Sequence, residues 1–247
     1  MKPPDVIMLT VPRPGGNEYV FQTLADYEAK CKRLRWPVYL AVGVPDTAWL
    51  QALGGKPWLG WFPLPPALWA KCRAGAPTLR LMYNFYRVLA LPLKPGAPGR
   101  LMLEDDIVFA PECCELLSAA IAEVPPSITK YALALYCTQN MLGKPNRRIT
   151  THLYEYPPGS YYGAQGLYIS RALLPELTAY VKRNGVELRN APNDIQVNHM
   201  IKQAQARRQN IRLFAVQPNI VQHVGKVTTG VGRWHQSPTF GKPWSKV

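Results

Sequence analysis

Apolar residues in this chain fall into two alternating kinds of run. Short, nearly continuous stretches occur at Asp5 to Val11, Pro37 to Val42, Trp58 to Phe62, Arg100 to Leu103, Tyr131 to Tyr136 and Ile211 to Val216. Runs of this length and continuity predict strands buried on both faces. Between them, apolar positions recur at helical spacing. Val20, Phe21, Leu24, Tyr27 and Cys31 mark a helix within 17–34, and Leu81, Phe85, Val88 and Leu89 mark one over 78–91. Further helices are predicted over 111–124, with Pro111 in the first turn, over 171–183, and over 193–208, with Asn193 as cap. Pro45-Asp46 opens a short helix through Leu53, closed by Gly54-Gly55. The Trp-, Pro- and Gly-rich stretch 56–77 reads as one short strand and an exposed connection. Ser160 to Ser170 reads as strand-like around Gly163 and Gly166.

Strands alternating with helices predict an α/β fold: a mixed, mainly parallel sheet flanked by helices, with ligands at the carboxyl ends of the strands. There is no internal repeat, heptad pattern or low-complexity linker. Residues 1–247 are therefore expected to form a single domain.

Composition narrows this picture. An apolar content of 47% supports a substantial core and argues against global disorder. No run reaches eighteen apolar residues, so no transmembrane helix is expected, and the start of the chain does not resemble a signal peptide. Cys31, Cys72, Cys113, Cys114 and Cys137 show no CxxC spacing. An odd, scattered set reads as reduced thiols in a cytoplasm rather than a disulfide frame or zinc site. The formal charge is +14, and no acidic residue follows Asp194. That acid-free tail carries Lys202, Arg207, Arg208, Arg212, Lys226, Arg233, Lys242 and Lys246. Such asymmetry points to a polyanionic partner: nucleic acid, an anionic membrane surface or an acidic glycan.

Against this basic background, three acids stand together as Glu104-Asp105-Asp106, between the apolar runs Leu101-Met102-Leu103 and Ile107-Val108-Phe109. Adjacent carboxylates repel unless a cation offsets them, and a hard divalent ion such as Mn2+ or Mg2+ takes oxygen ligands. A helix-dipole explanation fails, because the next predicted helix begins five residues on and the intervening residues are strand-like. The phosphate-binding pattern GxxxxGK[ST], a GxGxxG after the first strand and a GxSxG elbow are all absent.

The segment Leu101 to Val108 resembles the DxD-type motif of GT-A glycosyltransferases. The helix before Leu103-Glu104-Asp105-Asp106-Ile107, and the later Gln222-His223-Val224-Gly225, are similar to the N-acetylglucosaminyltransferase IV family. The resemblance runs from about Thr78 to Gly232. It implies a nucleotide-sugar donor, of the UDP-sugar type, bound mainly by residues 1–110, and an acceptor half over 111–247. It also implies a divalent metal held by Asp106 and His223, with Glu104 and Asp105 contacting donor ribose or metal-bound water. Asp194, at a predicted helix start after Asn193, is either an ordinary cap or the general base of an inverting transfer. Tyr161-Tyr162-Gly163-Ala164-Gln165-Gly166 is either a bulge or the glycine loop beside the sugars, which makes Tyr162, Gly163, Gln165 and Asn193 acceptor candidates. Thr10, Val11, Pro12 and Arg13, ending the first strand, together with Arg80, Asn84 and Arg87 on the 78–91 helix, are candidates for donor contacts.

The acceptor is the least determined part. A basic chain without a predicted anchor departs from the secretory-glycan enzymes of that family. Hydroxymethylated DNA, carrying 5-hydroxymethylcytosine, is one expected acceptor in a bacterial or phage-infected cytoplasm. The tail would track phosphates and Trp234 would stack on a base. A bacterial surface polysaccharide or lipopolysaccharide, with peripheral membrane contact, is the alternative. A non-catalytic nucleic-acid-binding module with structural Mg2+ is the reading from a different class.

Overall fold

The computed structural model describes residues 2–13, 18–74, 77–137, 147–157, 159–161, 163–184, 193–225 and 237–244. In chain order the elements are β1 (Asp5–Thr10), α1 (Glu18–Lys30), β2 (Val38–Val42), a short 3-10 helix (Ala48–Leu53), β3 (Leu59–Phe62), α2 (Pro66–Cys72), α3 (Pro77–Ala90), β4 (Gly99–Glu104) and β5 (Ile107–Phe109). They continue with α4 (Cys113–Glu123), β6 (Lys130–Ala134), β7 (Arg147–Arg148), β8 (Leu153–Glu155), β9 (Gly166–Ser170), α5 (Leu174–Asn184), α6 (Asn193–Ala206), β10 (Ile211–Val216) and β11 (Val221–His223).

Nine strands form one sheet in the order β3-β2-β1-β4-β9-β6-β10-β8-β7, and β11 pairs with β5 in a separate two-stranded ribbon. Within the large sheet only β9 and β8 run against the other strands, so it is mixed and mostly parallel. The near-continuous apolar sequences of β1 and β4 follow from this. Val6, Met8, Leu101 and Leu103 pack on one face with α1 and α4, while Ile7, Leu9 and Met102 pack on the other with α3, α5 and α6. On α1, Val20, Leu24 and Tyr27 make the buried stripe that their spacing predicts.

The chain leaves β1 for β2 and β3 on one side and returns to β4 on the other. That reversal of strand order opens a crevice at the carboxyl ends of β1 and β4, where open α/β sheets bind ligands. The pairing register sets Leu9 beside Glu104, so Thr10 and the acidic triplet emerge together. A buried ion pair anchors the opposite end of the two strands. Arg100, with no exposed surface, donates to Asp5 Oδ2 at 2.8 Å and to the carbonyls of Leu91 and Pro92 at 3.0 and 3.1 Å.

Several elements differ from the sequence expectations. The stretch 56–77 contains α2, opened by Pro66 in its first turn. Helix α4 begins at Cys113 rather than Pro111, because Glu112 takes the left-handed conformation with φ 58° and donates its N–H to the Lys30 carbonyl at 3.2 Å. Gly163 at φ +102° breaks the expected strand 160–170, which survives only as β9. The strands β7, β8 and β11 are too short for a period-2 pattern to reveal.

Candidate active site

The triplet is held from three directions. From the end of β1, Thr10 Oγ1 donates to Asp105 Oδ2 at 2.6 Å. Arg13, three residues on, pairs with Asp105 and reaches Asp106 Oδ2 at 3.0 Å. From α1, Thr23 Oγ1 lies 2.7 Å from the carbonyls of both Asp105 and Ile107 and accepts from the Ile107 N–H at 3.2 Å. Asp26 Oδ2 accepts from the Phe109 N–H at 2.6 Å. These bonds satisfy backbone that the short β5 ribbon leaves unpaired.

The third direction is the late histidine segment. In the antiparallel ribbon His223 stands opposite Ile107, and the Val224 N–H donates to the Asp106 carbonyl at 2.9 Å. His223 Nε2 therefore lies 3.4 Å from Asp106 Oδ2, although 117 positions separate the two in sequence. The next glycine, Gly225, lies flat against the Asp106 carboxylate, with a β-carbon there only 2.8 Å from its Cγ.

Asp194 approaches from the other half of the chain. It lies in the first turn of α6 and is only 5% exposed. Its Oδ2 accepts from the Gly163 N–H at 3.0 Å and its Oδ1 from the Ile195 N–H at 2.8 Å. Its charge is felt at both Glu104 and Tyr161. Four carboxylates thus gather at the carboxyl end of β4. Burial, then the charges of Asp106, Asp194 and Asp105, push the Glu104 carboxyl well above the usual range. Burial likewise raises Asp105 to about 6 against the pull of Arg13. Burial opposes ionisation of Asp106 too, but the His223 ring and Arg13 outweigh it and hold that carboxyl below its ordinary value. Burial raises Asp194, with the Gly163 amide pulling the other way.

This donor set fits a hard divalent cation. Asp106 stays ionised, and its second oxygen, Oδ1, is buried without a hydrogen-bond partner among the described residues. His223 adds a nitrogen 3.4 Å from the other oxygen, Oδ2. Among the described residues no third His, Cys, Asp or Glu closes a compact ligand set here. That suits Mn2+ or Mg2+, which typically use one or two protein ligands and leave the rest to phosphate and water.

A pocket of about 510 Å3 lies beside this cluster, lined by Pro12, Val44, Pro45, Asp46, Trp49 and Trp69. It sits past the carboxyl ends of β1 and β2, where the preceding Val11 packs against the backbone of Gly43. Asn84 and Arg87 are tied into the frame under it. Asn84 Nδ2 donates to the Ala41 carbonyl at 3.0 Å, and Arg87 donates to Asn84 Oδ1 at 2.7 Å while stacking over Phe62. Gln165 is buried, with Oε1 unpartnered among the described residues, and its carbonyl accepts from the Glu104 N–H at 3.1 Å. The structure thus brings together Thr10, Arg13, Glu104, Asp105, Asp106, His223, Gly163, Gln165 and Asp194. Tyr162 and Trp234 lie outside the described residues, and for Asn193 and Arg80 only the backbone is described. Trp69 was missed because the 56–77 stretch reads as a connection, its signal being a density of Trp and Pro, and Trp49 because the short helix predicted around it carries no mark of a ligand site.

The galactosyltransferase LgtC, solved with donor and acceptor sugar analogs, superposes on this chain with a TM-score of 0.50 over 85% of this chain and 72% of that one, at 11% identity. An active-site mutant of LgtC gives 0.51 at 12% identity, with the same coverage of 85% and 72%. The fold is that of the GT-A glycosyltransferases. A glycosyltransferase involved in glycosylating the major capsid of PBCV-1 aligns more loosely, with a TM-score of 0.41 at 12% identity over 85% of this chain and 81% of that one. No family model matches the sequence, and neither does any curated protein. The resemblance to the N-acetylglucosaminyltransferase IV family therefore stands on its two motifs alone, and the solved structures, at 11–12% identity, show the fold alone. No helix among the described residues is long and apolar enough to cross a membrane.

Proposed function

We propose that this chain is a metal-dependent glycosyltransferase that moves a sugar from a nucleotide-sugar, of the UDP-sugar type, to a hydroxyl acceptor. The observation that carries this reading is the buried carboxylate cluster at the sheet's switch point, with an orphaned Oδ1 on Asp106 and His223 Nε2 3.4 Å from its Oδ2. Asp106 and His223 would hold Mn2+ or Mg2+, which when bound neutralises the donor diphosphate. Glu104, whose carboxyl burial and the neighbouring acids hold well above the usual range, contacts the donor. Arg13 stays locked between Asp105 and Asp106 and keeps that corner from carrying two unbalanced charges. The pocket of Trp49 and Trp69 takes the flat, apolar face of the nucleobase.

Asp194 is the general base in this reading. It removes the proton from the acceptor hydroxyl as that oxygen attacks C1, and the bond from C1 to the diphosphate breaks. Attack from the face opposite the leaving group inverts the anomeric centre. Buried backbone amides orient the carboxylate.

Charge carries the reading of the acceptor. Lys202, Arg207 and Arg208 are exposed at the end of α6, in a region free of acids after Asp194. A hydroxymethylated base in DNA offers both a hydroxyl and phosphates for that surface. A surface oligosaccharide is the second reading, favoured by the acceptor sugar analog in the LgtC complex.

One assay tests both levels. The protein is incubated with Mn2+ and a panel of UDP-sugars in the presence of hydroxymethylated DNA, unmodified DNA or lipo-oligosaccharide. A mass gain of one hexose or N-acetylhexosamine on the hydroxymethylated DNA alone supports the first acceptor, and gain on the oligosaccharide alone supports the second. DNA binding with neither transfer nor metal-dependent donor hydrolysis would overturn the enzyme reading in favour of a binding module.

A further inference from the structure

Three of the five cysteines meet in one place, away from the carboxylate cluster. Cys31 follows α1, and Cys113 and Cys114 open α4. Cys31 Sγ lies 2.9 Å from Cys113 Sγ and 3.5 Å from Cys114 Sγ, and all three sulfurs fall within 4.8 Å of one another. Their exposures are 0, 5 and 1%. Among the described residues this is the group of three His, Cys, Asp or Glu side chains whose spacing suits a bound metal.

The backbone builds this cluster at a cost. Glu112, a non-glycine residue, is held left-handed at φ 58° with no side-chain capping bond, a conformation that strains an L side chain. In return its N–H is fixed on the Lys30 carbonyl at 3.2 Å, and the Cys31 N–H on the Tyr27 carbonyl at 2.9 Å. That pair of bonds sets Cys31 against the first turn of α4, where free N–H groups favour thiolates. Hydrogen bonds within the trio hold the Cys114 thiol down while they hold the Cys31 and Cys113 thiols up. Tyr27 Oη lies 3.4 Å from the same sulfur.

We propose that Cys31, Cys113 and Cys114 form a buried three-thiolate site for a soft cation, Cu+ or Zn2+. Thiolates select such ions over the hard Mn2+ and Mg2+ that suit the carboxylate cluster. Bonds of about 2.3 Å around a trigonal ion place sulfurs about 4 Å apart, so the three need to spread by only about 1 Å. Three sulfurs satisfy Cu+. Zn2+ takes a fourth ligand, and Tyr27 Oη, which already exchanges hydrogen bonds with the Trp36 backbone at 3.0 Å, would have to release them to serve. Binding displaces the protons that remain on the thiols. The bound ion ties the end of α1 to the start of α4. Thr23 and Asp26 of that same helix hold the backbone of Asp105 and β5, so the ion braces the frame that presents the acidic triplet.

The test uses the full chain, purified under reductant and without oxygen, loaded separately with Cu+ and Zn2+ and then desalted. The expected result is one ion per chain with three sulfur neighbours by X-ray absorption, retained in Cys72→Ser and Cys137→Ser and reduced at least tenfold in Cys113→Ser. An ion surrounded only by nitrogen and oxygen, or equal retention by Cys113→Ser, overturns the proposal. A measurement on the unmutated chain guards against misfolding of the variant. Cd2+ should produce the ultraviolet thiolate-to-metal charge-transfer band at one equivalent, and its absence overturns the site independently.

Discussion

Gly225 lies directly on the carboxylate of Asp106, so that a β-carbon at that position would overlap Oδ2. The glycine is needed for this approach and not for a special backbone angle. Replacing it forces either the carboxylate or the segment carrying His223 to move. Gly225→Ala is expected to lower glycosyl transfer about 100-fold, the range seen when an electrostatic contact to developing charge is misplaced. The loss should appear as a higher metal requirement. Metal titration of donor hydrolysis checks this, and an unchanged half-saturation for Mn2+ would refute it.

Asp194, the proposed base, is expected to set the pH dependence. Burial raises its pKa above the usual 3.8. A general base works only when ionised, so kcat/KM should fall as pH drops through this raised pKa, with a slope of one. The acid limb should lie at higher pH than an ordinary aspartate would give. Asp194→Asn should cost 100- to 10,000-fold in kcat, leave donor KM nearly unchanged and abolish that limb. A pH profile unaltered by the substitution would remove Asp194 from the base role.

Thr23 makes a purely structural contribution that is readable as stability. Its hydroxyl serves the Ile107 N–H and the carbonyls flanking Asp106. Thr23→Val keeps the shape and leaves those buried groups unpaired, at an expected cost of about 1–3 kcal/mol. Urea denaturation measures it. A change below about 0.5 kcal/mol would mean water replaces the hydroxyl.

Arg100 should prove more costly. Asp5 is 4% exposed and keeps only the more distant Lys94, at 3.7 Å, once the guanidinium is gone. Arg100→Met is expected to lose about 3–5 kcal/mol, because it strands a buried carboxylate. Arg100→Lys should recover part of this but not the fork of bonds to Asp5, Leu91 and Pro92. The order of the three urea midpoints is the measurement.

The Trp49 and Trp69 pocket separates binding from chemistry. Loss of a stacked base contact costs about 1–3 kcal/mol. Trp49→Ala should therefore raise the donor Kd about 5- to 150-fold by calorimetry while kcat changes less than threefold. A fall in kcat at unchanged Kd would move the nucleobase elsewhere.

Much of this protein is written in local sequence. The buried runs Asp5–Thr10, Gly99–Glu104 and Ile211–Val216 follow from near-continuous apolar sequence, and the amphipathic α1 from the 3.6-residue period of the helical backbone. The acidic triplet, alone in a basic chain, marks the site because concentrated like charge needs a counter-charge wherever it folds. Local signals fail where a structure is made by partners far along the chain. The three-residue β5 and β11 exist only because they pair with each other, and α2 lies in a stretch whose composition suggested a loop. Tertiary structure alone decided that Arg13 locks onto Asp105 and Asp106, that Gly163 holds Asp194, and that Asn84 and Arg87 brace strand ends. It also decided that cysteines 82 positions apart, scattered by any reading of their spacing, become neighbours. Spacing rules report on ligands supplied by one short segment, whereas packing α1 against α4 brings thiols together through the core, where sequence distance has no bearing on separation in space.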